Sequence, residues 1–325
     1  MMKNIFSDIK TRFISDKEGT TVLVLFSILA FMLPVYKKFV PLTIALLLIS
    51  LLWLNIRKKT FRQTRLSVVQ IALMVLYALF IAGLVFTENI KSGLFDLEVK
   101  MGFLFMPVAF MLAVPFIRPG FRDTIMKVFV AGCLAGCLFC LSRSAYNYVS
   151  ESRNIGEFFY TKLSPHFHPS YFALYLNLAI LVTIQLSVSK WKQMTFLNKI
   201  IRFAVISFII LMVLLLNSKA GILITIVSAI LFLFVILFSA RKKTAGIIAV
   251  ISILVLSFTI WNTVPGLKNR FVISLKSLQT YSQKTINPEE GTLQRLVIWK
   301  HSMKIIQENL MTGVGTGDVR QELDR

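Results

Sequence analysis

The sequence predicts an all-α, polytopic integral membrane protein with about nine transmembrane helices and an external C-terminal segment that contains an amphipathic helix. The first observation is compositional: the 325 residues are 56% hydrophobic and only 16% charged, with a mean hydropathy of +0.73. Soluble domains are more polar than this. The second is that the apolar residues form charge-free runs of roughly 20 residues, the length that a helix needs to cross a bilayer.

Nine such runs follow one another along the chain, and they define a predicted transmembrane domain over residues 1–264. They lie near 20–36, 39–56, 66–87, 101–117, 124–142, 170–189, 200–218, 220–240 and 244–264. The fifth is the weakest, because only 128–142 is free of charge. Residues 265–325 form the predicted external segment, in which apolar residues at helical spacing after Arg295 predict an amphipathic helix near the membrane.

The formal net charge of +21 indicates anionic partners. Nucleic acid is excluded because the cations lie in short clusters between apolar runs and not on a soluble face. With the N-terminus in the cytoplasm, the predicted cytoplasmic segments carry more than half of the 36 Lys and Arg residues, as the positive-inside rule requires. We therefore expect a multi-pass protein of the cytoplasmic (inner) membrane, with residues 265–325 on the periplasmic side and membrane lipids among its partners.

Three motifs that are typical of metal or nucleotide sites have simpler explanations. Cys133, Cys137 and Cys140 have the spacing of an iron–sulfur motif, but on a helix they share one face and behave as small apolar residues. His166 and His168 lack a third ligand at suitable spacing. The run GVGTGD at 313–318 follows a helix-like segment and no strand, so a nucleotide site is not expected. The sequence predicts no metal and no cofactor.

The acidic residues argue against proton-coupled transport, because none of the 15 Asp and Glu residues falls inside a predicted span. The cations of the predicted external face indicate an anionic ligand. Lys219 lies in a short turn between two apolar runs, where it either reaches toward the membrane surface or faces a cavity. Arg295 either decorates the surface or holds a phosphate through its planar guanidinium.

Three segments together resemble the O-antigen ligase and O-antigen polymerase superfamily, whose members are polytopic glycosyltransferases of the GT-C type. They are the turn NSKAG around Lys219, the helix RLVIWKHSMKIIQEN followed by GVGTGD, and FHPSYFALYLN at 167–177. The resemblance implies transfer of an undecaprenyl-diphosphate-linked glycan to a glycan or lipid A core acceptor, at the outer face of the cytoplasmic membrane and without a metal. It does not separate a ligase from a polymerase, and a lipid-linked glycan flippase remains an alternative from another class.

The resemblance also implies roles for individual residues. Lys219 matches a basic residue of the family, usually arginine, and Arg295 matches a second; both are expected to stabilise the lipid diphosphate as catalytic residues. His168, Tyr171 and Arg270 are expected to bind substrate. The family's ligases use an external histidine followed by further helices, and neither is present before Arg325. We therefore expect the sequence to be a truncated member, with its general base unassigned.

Overall fold

The structure, a computed structural model, describes residues 16–188, 193–239, 291–310 and 313–324. Helices and turns account for these residues, and no strand occurs among them. Their α-helices are α1 (Lys17–Val35), α2 (Val40–Lys58), α3 (Val68–Ala82), α4 (Ile90–Lys100), α5 (Gly102–Ala113), α6 (Phe121–Asn147), α7 (Tyr160–Leu163), α8 (Pro169–Val188), α9 (Phe196–Leu215), α10 (Lys219–Ser239), α11 (Gly291–Glu308) and α12 (Val319–Asp324). The predicted all-α fold is confirmed.

Seven helical segments within the described ranges are long and apolar enough to cross a membrane. They are Lys17–Val35, Lys37–Lys58, Val68–Phe86, Ile90–Phe116, Phe121–Ser150, Pro169–Val188 and Phe196–Leu215. These segments overlap the first seven predicted runs, and the apolar stretch Lys219–Leu231 overlaps the eighth. The ninth predicted run, 244–264, lies outside the described residues. The chain is therefore a polytopic helical membrane protein.

The chain divides into two compact units. Unit 1 consists of Met1–Leu47 and Phe116–Pro265, and unit 2 consists of Leu48–Pro115 and Gly266–Arg325. Unit 1 contains α1 and α6 to α10, whereas unit 2 contains most of α2, together with α3 to α5 and the C-terminal helices.

Close packing of α1 against α6 organises unit 1. A Cβ added to Gly132 or Gly136 would lie 2.6 or 2.8 Å from a backbone oxygen of α1, so both positions require glycine. The three cysteines of α6 are free and buried, with Cys133 and Cys137 wholly inaccessible to solvent. No metal-binding cluster of His, Cys, Asp or Glu occurs among the residues that the structure describes. The cysteines therefore pack like small apolar side chains, as their helical spacing predicts.

Different helix ends and connections lie at the two ends of unit 1. At one end, Asp16 caps α1 by accepting from the Gly19 amide at 2.9 Å and pairs with Arg118 Nε at 2.8 Å. At the other, α1 and α6 end while α8 and α10 begin. We call this second end, with its connecting residues 36–39, 148–168 and 216–218, the site end of unit 1.

Candidate anion-binding site

The N-termini of α8 and α10 lie side by side at the site end of unit 1. Ser218 Oγ, which precedes α10, donates a hydrogen bond to Ser170 Oγ in the first turn of α8 at 3.0 Å. Both helices therefore direct the positive ends of their dipoles to the same place. A helix N-terminus attracts anions through its dipole, and two of them at one place reinforce each other.

The turn that carries Lys219 is built by its own sequence. Asn217 adopts a left-handed conformation (φ 45°), which asparagine tolerates better than most residues, and this ends α9. Ser218 then caps α10, because its Oγ accepts from the Gly221 amide at 3.3 Å. Lys219 becomes the first residue of α10 and is half-buried. The turn thus places a lysine at the first position of the helix.

A lysine at this position is not explained by helix stability. A cation in the first turn opposes the helix dipole and costs about 0.3–1 kcal/mol, whereas an acidic residue there would stabilise the helix. The same charge is favourable once an anion occupies the N-terminus. The position of Lys219 is therefore typical of an anion-binding site.

His168 and Tyr171 flank the same place from the start of α8. The His168 carbonyl accepts from the Tyr171 amide at 2.9 Å, and His168 Nδ1 accepts from the Ser170 amide at 3.3 Å, so this residue caps α8. The Tyr171 and His168 rings lie 6.1 Å apart, edge to face, and Tyr171 is 67% exposed. Two aromatic rings therefore border the paired N-termini and offer contacts to a substrate.

A buried polar network fixes α8 against α10 below the site. Asn177 Nδ2 donates to the Gly221 carbonyl of α10 at 3.1 Å, and Asn177 Oδ1 accepts from Thr225 Oγ1 at 2.7 Å. A Cβ on Gly221 would meet the Ala173 Cβ at 2.5 Å, so glycine permits the close approach of the helices. These contacts fix the position of the α8 N-terminus relative to the α10 N-terminus.

The other two predicted site residues, Arg295 and Arg270, do not belong to the described part of unit 1. Arg295 lies on α11 in unit 2 and is exposed, so the two predicted catalytic cations belong to different units. Arg270 lies outside the described residues. The structure therefore assembles Lys219, His168 and Tyr171 within unit 1 and places Arg295 on a separate helix.

The glycine-rich run at 313–318 has a structural role within unit 2. The Asp318 carboxylate accepts from the Glu88 amide at 2.7 Å and from the Asn89 amide at 2.9 Å. Thr316 Oγ1 donates to the Phe80 carbonyl at 2.7 Å, and the Gly317 amide donates to Thr87 Oγ1 at 3.2 Å. The run thus docks the segment that follows α11 onto the junction between α3 and α4.

The sequence did not identify Ser170, Ser218 and Asn177 as site residues. A serine directly before an apolar helix is an N-cap signal, so Ser218 could have been found from its position. The hydrogen bonds of Ser170 and Asn177 to another helix depend on how α8 and α10 pack. No spacing rule within one segment predicts such packing.

Comparison with known proteins supports the O-antigen ligase superfamily, which the motifs at 167–177, 217–221, 295–309 and 313–318 resemble. The family model described as O-antigen ligase matches residues 203–324. The match covers rather more than a third of the chain and includes Lys219, Arg295 and the run at 313–318. It supports a function of the ligase or polymerase type in general. No curated protein and no solved structure matches the chain.

Proposed function

We propose that the protein transfers a glycan from undecaprenyl diphosphate to an acceptor at the outer face of the cytoplasmic membrane. One observation supports this above the others: the N-termini of α8 and α10 meet beside Lys219. Helix α10 lies within the residues that match the O-antigen ligase family model. A diphosphate is the anion that such a concentration of positive charge suits. The donor's lipid chain would lie among the apolar helices.

The reaction that we propose needs no metal. The acceptor hydroxyl oxygen attacks the anomeric carbon, the bond from that carbon to the diphosphate oxygen breaks with inversion, and a general base takes the hydroxyl proton. Negative charge grows on the departing diphosphate. Lys219 at the N-terminus of α10 stabilises that charge electrostatically, with Arg295 as the second cation in the proposal.

His168 and Tyr171 are proposed to bind the donor beside its diphosphate. Both lie at the start of α8, and the exposed Tyr171 ring has a face on which a sugar can pack. Arg270, which lies outside the described residues, is proposed as a further substrate contact.

The orientation in the membrane is part of the proposal. Asp318 contacts Glu88 and Asn89, so the segment after α11 and the start of α4 lie at the same side. Charge counting assigns both segments to the periplasmic side. The contact agrees with that assignment.

Transfer by purified protein in detergent tests the enzyme class. Without a sealed membrane, translocation by a flippase cannot be detected. A transferase still moves labelled glycan from undecaprenyl diphosphate onto an acceptor. We expect transfer, and we expect Arg295→Ala to reduce it at least tenfold while Lys300→Ala, a loss of charge on the same helix, has little effect. Complete absence of transfer by the full-length protein, with lipid-linked glycan translocated in vesicles, would favour the flippase.

The acceptor distinguishes a ligase from a polymerase in the same assay. A ligase moves the glycan onto lipid A core, whereas a polymerase extends another undecaprenyl-diphosphate-linked glycan. We propose the ligase type, because the matched family model is described as O-antigen ligase. Extension of the lipid-linked glycan with no transfer to lipid A core would assign the polymerase instead.

A further inference from the structure

A second group of cations lies at the site end of unit 1, around His166. The His166 ring stacks on Phe139 of α6, with centroids 5.1 Å apart and an interplanar angle of 16°. The Tyr36 ring meets it edge to face, also at 5.1 Å. His166 therefore joins the end of α6 to the connection between α1 and α2.

Each of these two segments carries exposed cations. Lys37 and Lys38 directly follow Tyr36, and Arg143 lies one helical turn after Phe139. Burial, and then the nearby charges of Arg143, Lys38 and Lys37 in that order, lower the pKa of His166. The three cations thus converge on one side chain, which is neutral at pH 7. We call Lys37, Lys38 and Arg143, with His166 among them, the basic cluster.

Among the side chains that the structure describes, no carboxylate forms an ion pair with the basic cluster. The ion pair described at this end of unit 1 joins Glu157 to Lys162 and includes none of the three cations of the cluster. Three cations close together repel one another, and the aromatic contacts of His166 keep their segments together. Such a group is stabilised when an anion binds.

The cluster also departs from the charge pattern that orients membrane proteins. Its residues lie at the end that the positive-inside rule assigns to the periplasm, where lysine and arginine are not needed for orientation. The segment 164–168 carries both His166 of the cluster and His168 of the paired N-termini. The basic cluster is thus beside the proposed donor site, on the same end of the same unit.

We propose that the basic cluster binds the phosphate groups of the acceptor glycolipid, and this rests on the proposed transfer function. Lys37, Lys38 and Arg143 would contact the phosphate, and the neutral ring of His166 would offer a hydrogen bond and an apolar flank. The donor diphosphate lies at Lys219, so the acceptor's phosphates and the donor's occupy separate cations. A phosphorylated acceptor is held while its sugar hydroxyl approaches the donor.

Binding to the purified full-length protein in detergent tests this without requiring transfer. The probes are a glycolipid with phosphomonoesters on its sugars, the same glycolipid after phosphatase treatment, and phosphatidylglycerol. The variant is Lys37→Gln/Lys38→Gln/Arg143→Gln, and the control is Lys59→Gln/Arg62→Gln/Arg65→Gln, which removes three exposed cations from the connection between α2 and α3. Affinity for undecaprenyl diphosphate is measured on every variant.

We expect the wild type and the control to bind the phosphorylated glycolipid at least tenfold more tightly than the phosphatase-treated form. We expect the cluster variant to lose that preference while it keeps its affinity for undecaprenyl diphosphate. Equal binding of both glycolipids, or an unchanged preference in the cluster variant, would overturn the proposal. Equal competition by phosphatidylglycerol would overturn the acceptor assignment in favour of a general lipid site.

The outcome is separable from that of the proposed function. If transfer fails but the glycolipid still binds through the basic cluster, the proposed reaction is wrong and the phosphate site stands. Transfer that proceeds with the same acceptor KM in the cluster variant would keep the reaction and remove the site.

Discussion

Gly221 shows how a single residue supports the candidate site. It is the third residue of α10, its amide is capped by Ser218, and its carbonyl accepts from Asn177. The motif NSKAG around it supports the family resemblance, but no pattern within this segment explains why the position is a glycine. The reason lies in another helix, because α8 approaches α10 too closely for a Cβ.

Gly221→Ala should lower stability and move the two N-termini apart. The added Cβ meets the Ala173 Cβ at 2.5 Å, and such overpacking costs about 1–3 kcal/mol. Thermal unfolding in detergent measures the loss. Gly102→Ala is the control, because its Cβ would have no neighbour within 4 Å and alanine favours helix by about 1 kcal/mol. Equal melting temperatures for Gly221→Ala and the wild type would contradict the packing that we describe.

Glu157 gives the connection between α6 and α8 a pH dependence. Lys162 Nζ donates to its carboxylate at 2.6 Å, and this hydrogen bond lowers the pKa of Glu157 from its ordinary value of 4.5. A carboxyl group whose pKa is lowered by folding stabilises the protein above the unfolded-state pKa. That contribution disappears as the pH falls through the folded-state pKa.

We therefore expect Glu157→Gln to melt at a lower temperature than the wild type at pH 6. The difference should shrink as the pH falls below about 4.5, where the wild-type carboxylate begins to take up protons. Thermal unfolding of both proteins across this range provides the measurement. A difference that is the same at every pH would show that the ion pair contributes nothing to stability.

At the scale of elements, α8 and α10 form the site together although α9 separates them in the chain. A sequence pattern predicts each helix, because each is a charge-free apolar run. It does not predict which helices become neighbours. Membrane helices associate through close contacts and hydrogen bonds such as those of Asn177, not through an apolar face that hydropathy reveals.

The segment that follows α11 is a second example at this scale. The run GVGTGD was predicted not to bind a nucleotide, and the structure assigns it to docking instead. Gly315 has a positive φ of 84°, a conformation that glycine adopts readily, and Gly317 packs directly against Asn89 and Gly93. The docking partner, at the junction of α3 and α4, lies more than 200 residues away in the chain. Only the folded unit reveals it.

Asp318→Ala should release this segment from the α3–α4 junction. The carboxylate is 7% exposed and accepts two backbone hydrogen bonds, so its loss leaves the Glu88 and Asn89 amides unsatisfied at a cost of about 1–3 kcal/mol. Hydrogen exchange of the amides at 88 and 89 should become faster. Asp324→Ala, which removes an exposed carboxylate from α12, should leave them unchanged. Equal protection in Asp318→Ala would contradict the docking.

At the scale of the whole molecule, composition and charge-free runs predicted the membrane class and the all-α fold correctly. Both follow from the bilayer itself. A spanning segment must be apolar over the thickness of the membrane and must satisfy its own backbone hydrogen bonds, which leaves few alternatives to a helix. The division into two units was not predicted, because it depends on contacts between distant segments, such as those of Asp318 with Glu88 and Asn89. Arg295 was paired with Lys219 by resemblance, and the structure assigns them to different units.

The central claim is that the paired N-termini of α8 and α10, with Lys219 beside them, bind a lipid diphosphate. Lys17 provides a matched comparison, because it is also the first residue of a helix but lies at the other end of unit 1. A charge-assisted hydrogen bond contributes about 1.5–3 kcal/mol, which corresponds to a change in affinity of roughly tenfold or more.

The most direct measurement is the affinity of the purified full-length protein for undecaprenyl diphosphate. We predict that Lys219→Ala weakens binding at least tenfold, that Lys219→Arg restores it because the charge is kept, and that Lys17→Ala binds like the wild type. Unchanged affinity in Lys219→Ala, or an equal loss in Lys17→Ala, would contradict the claim.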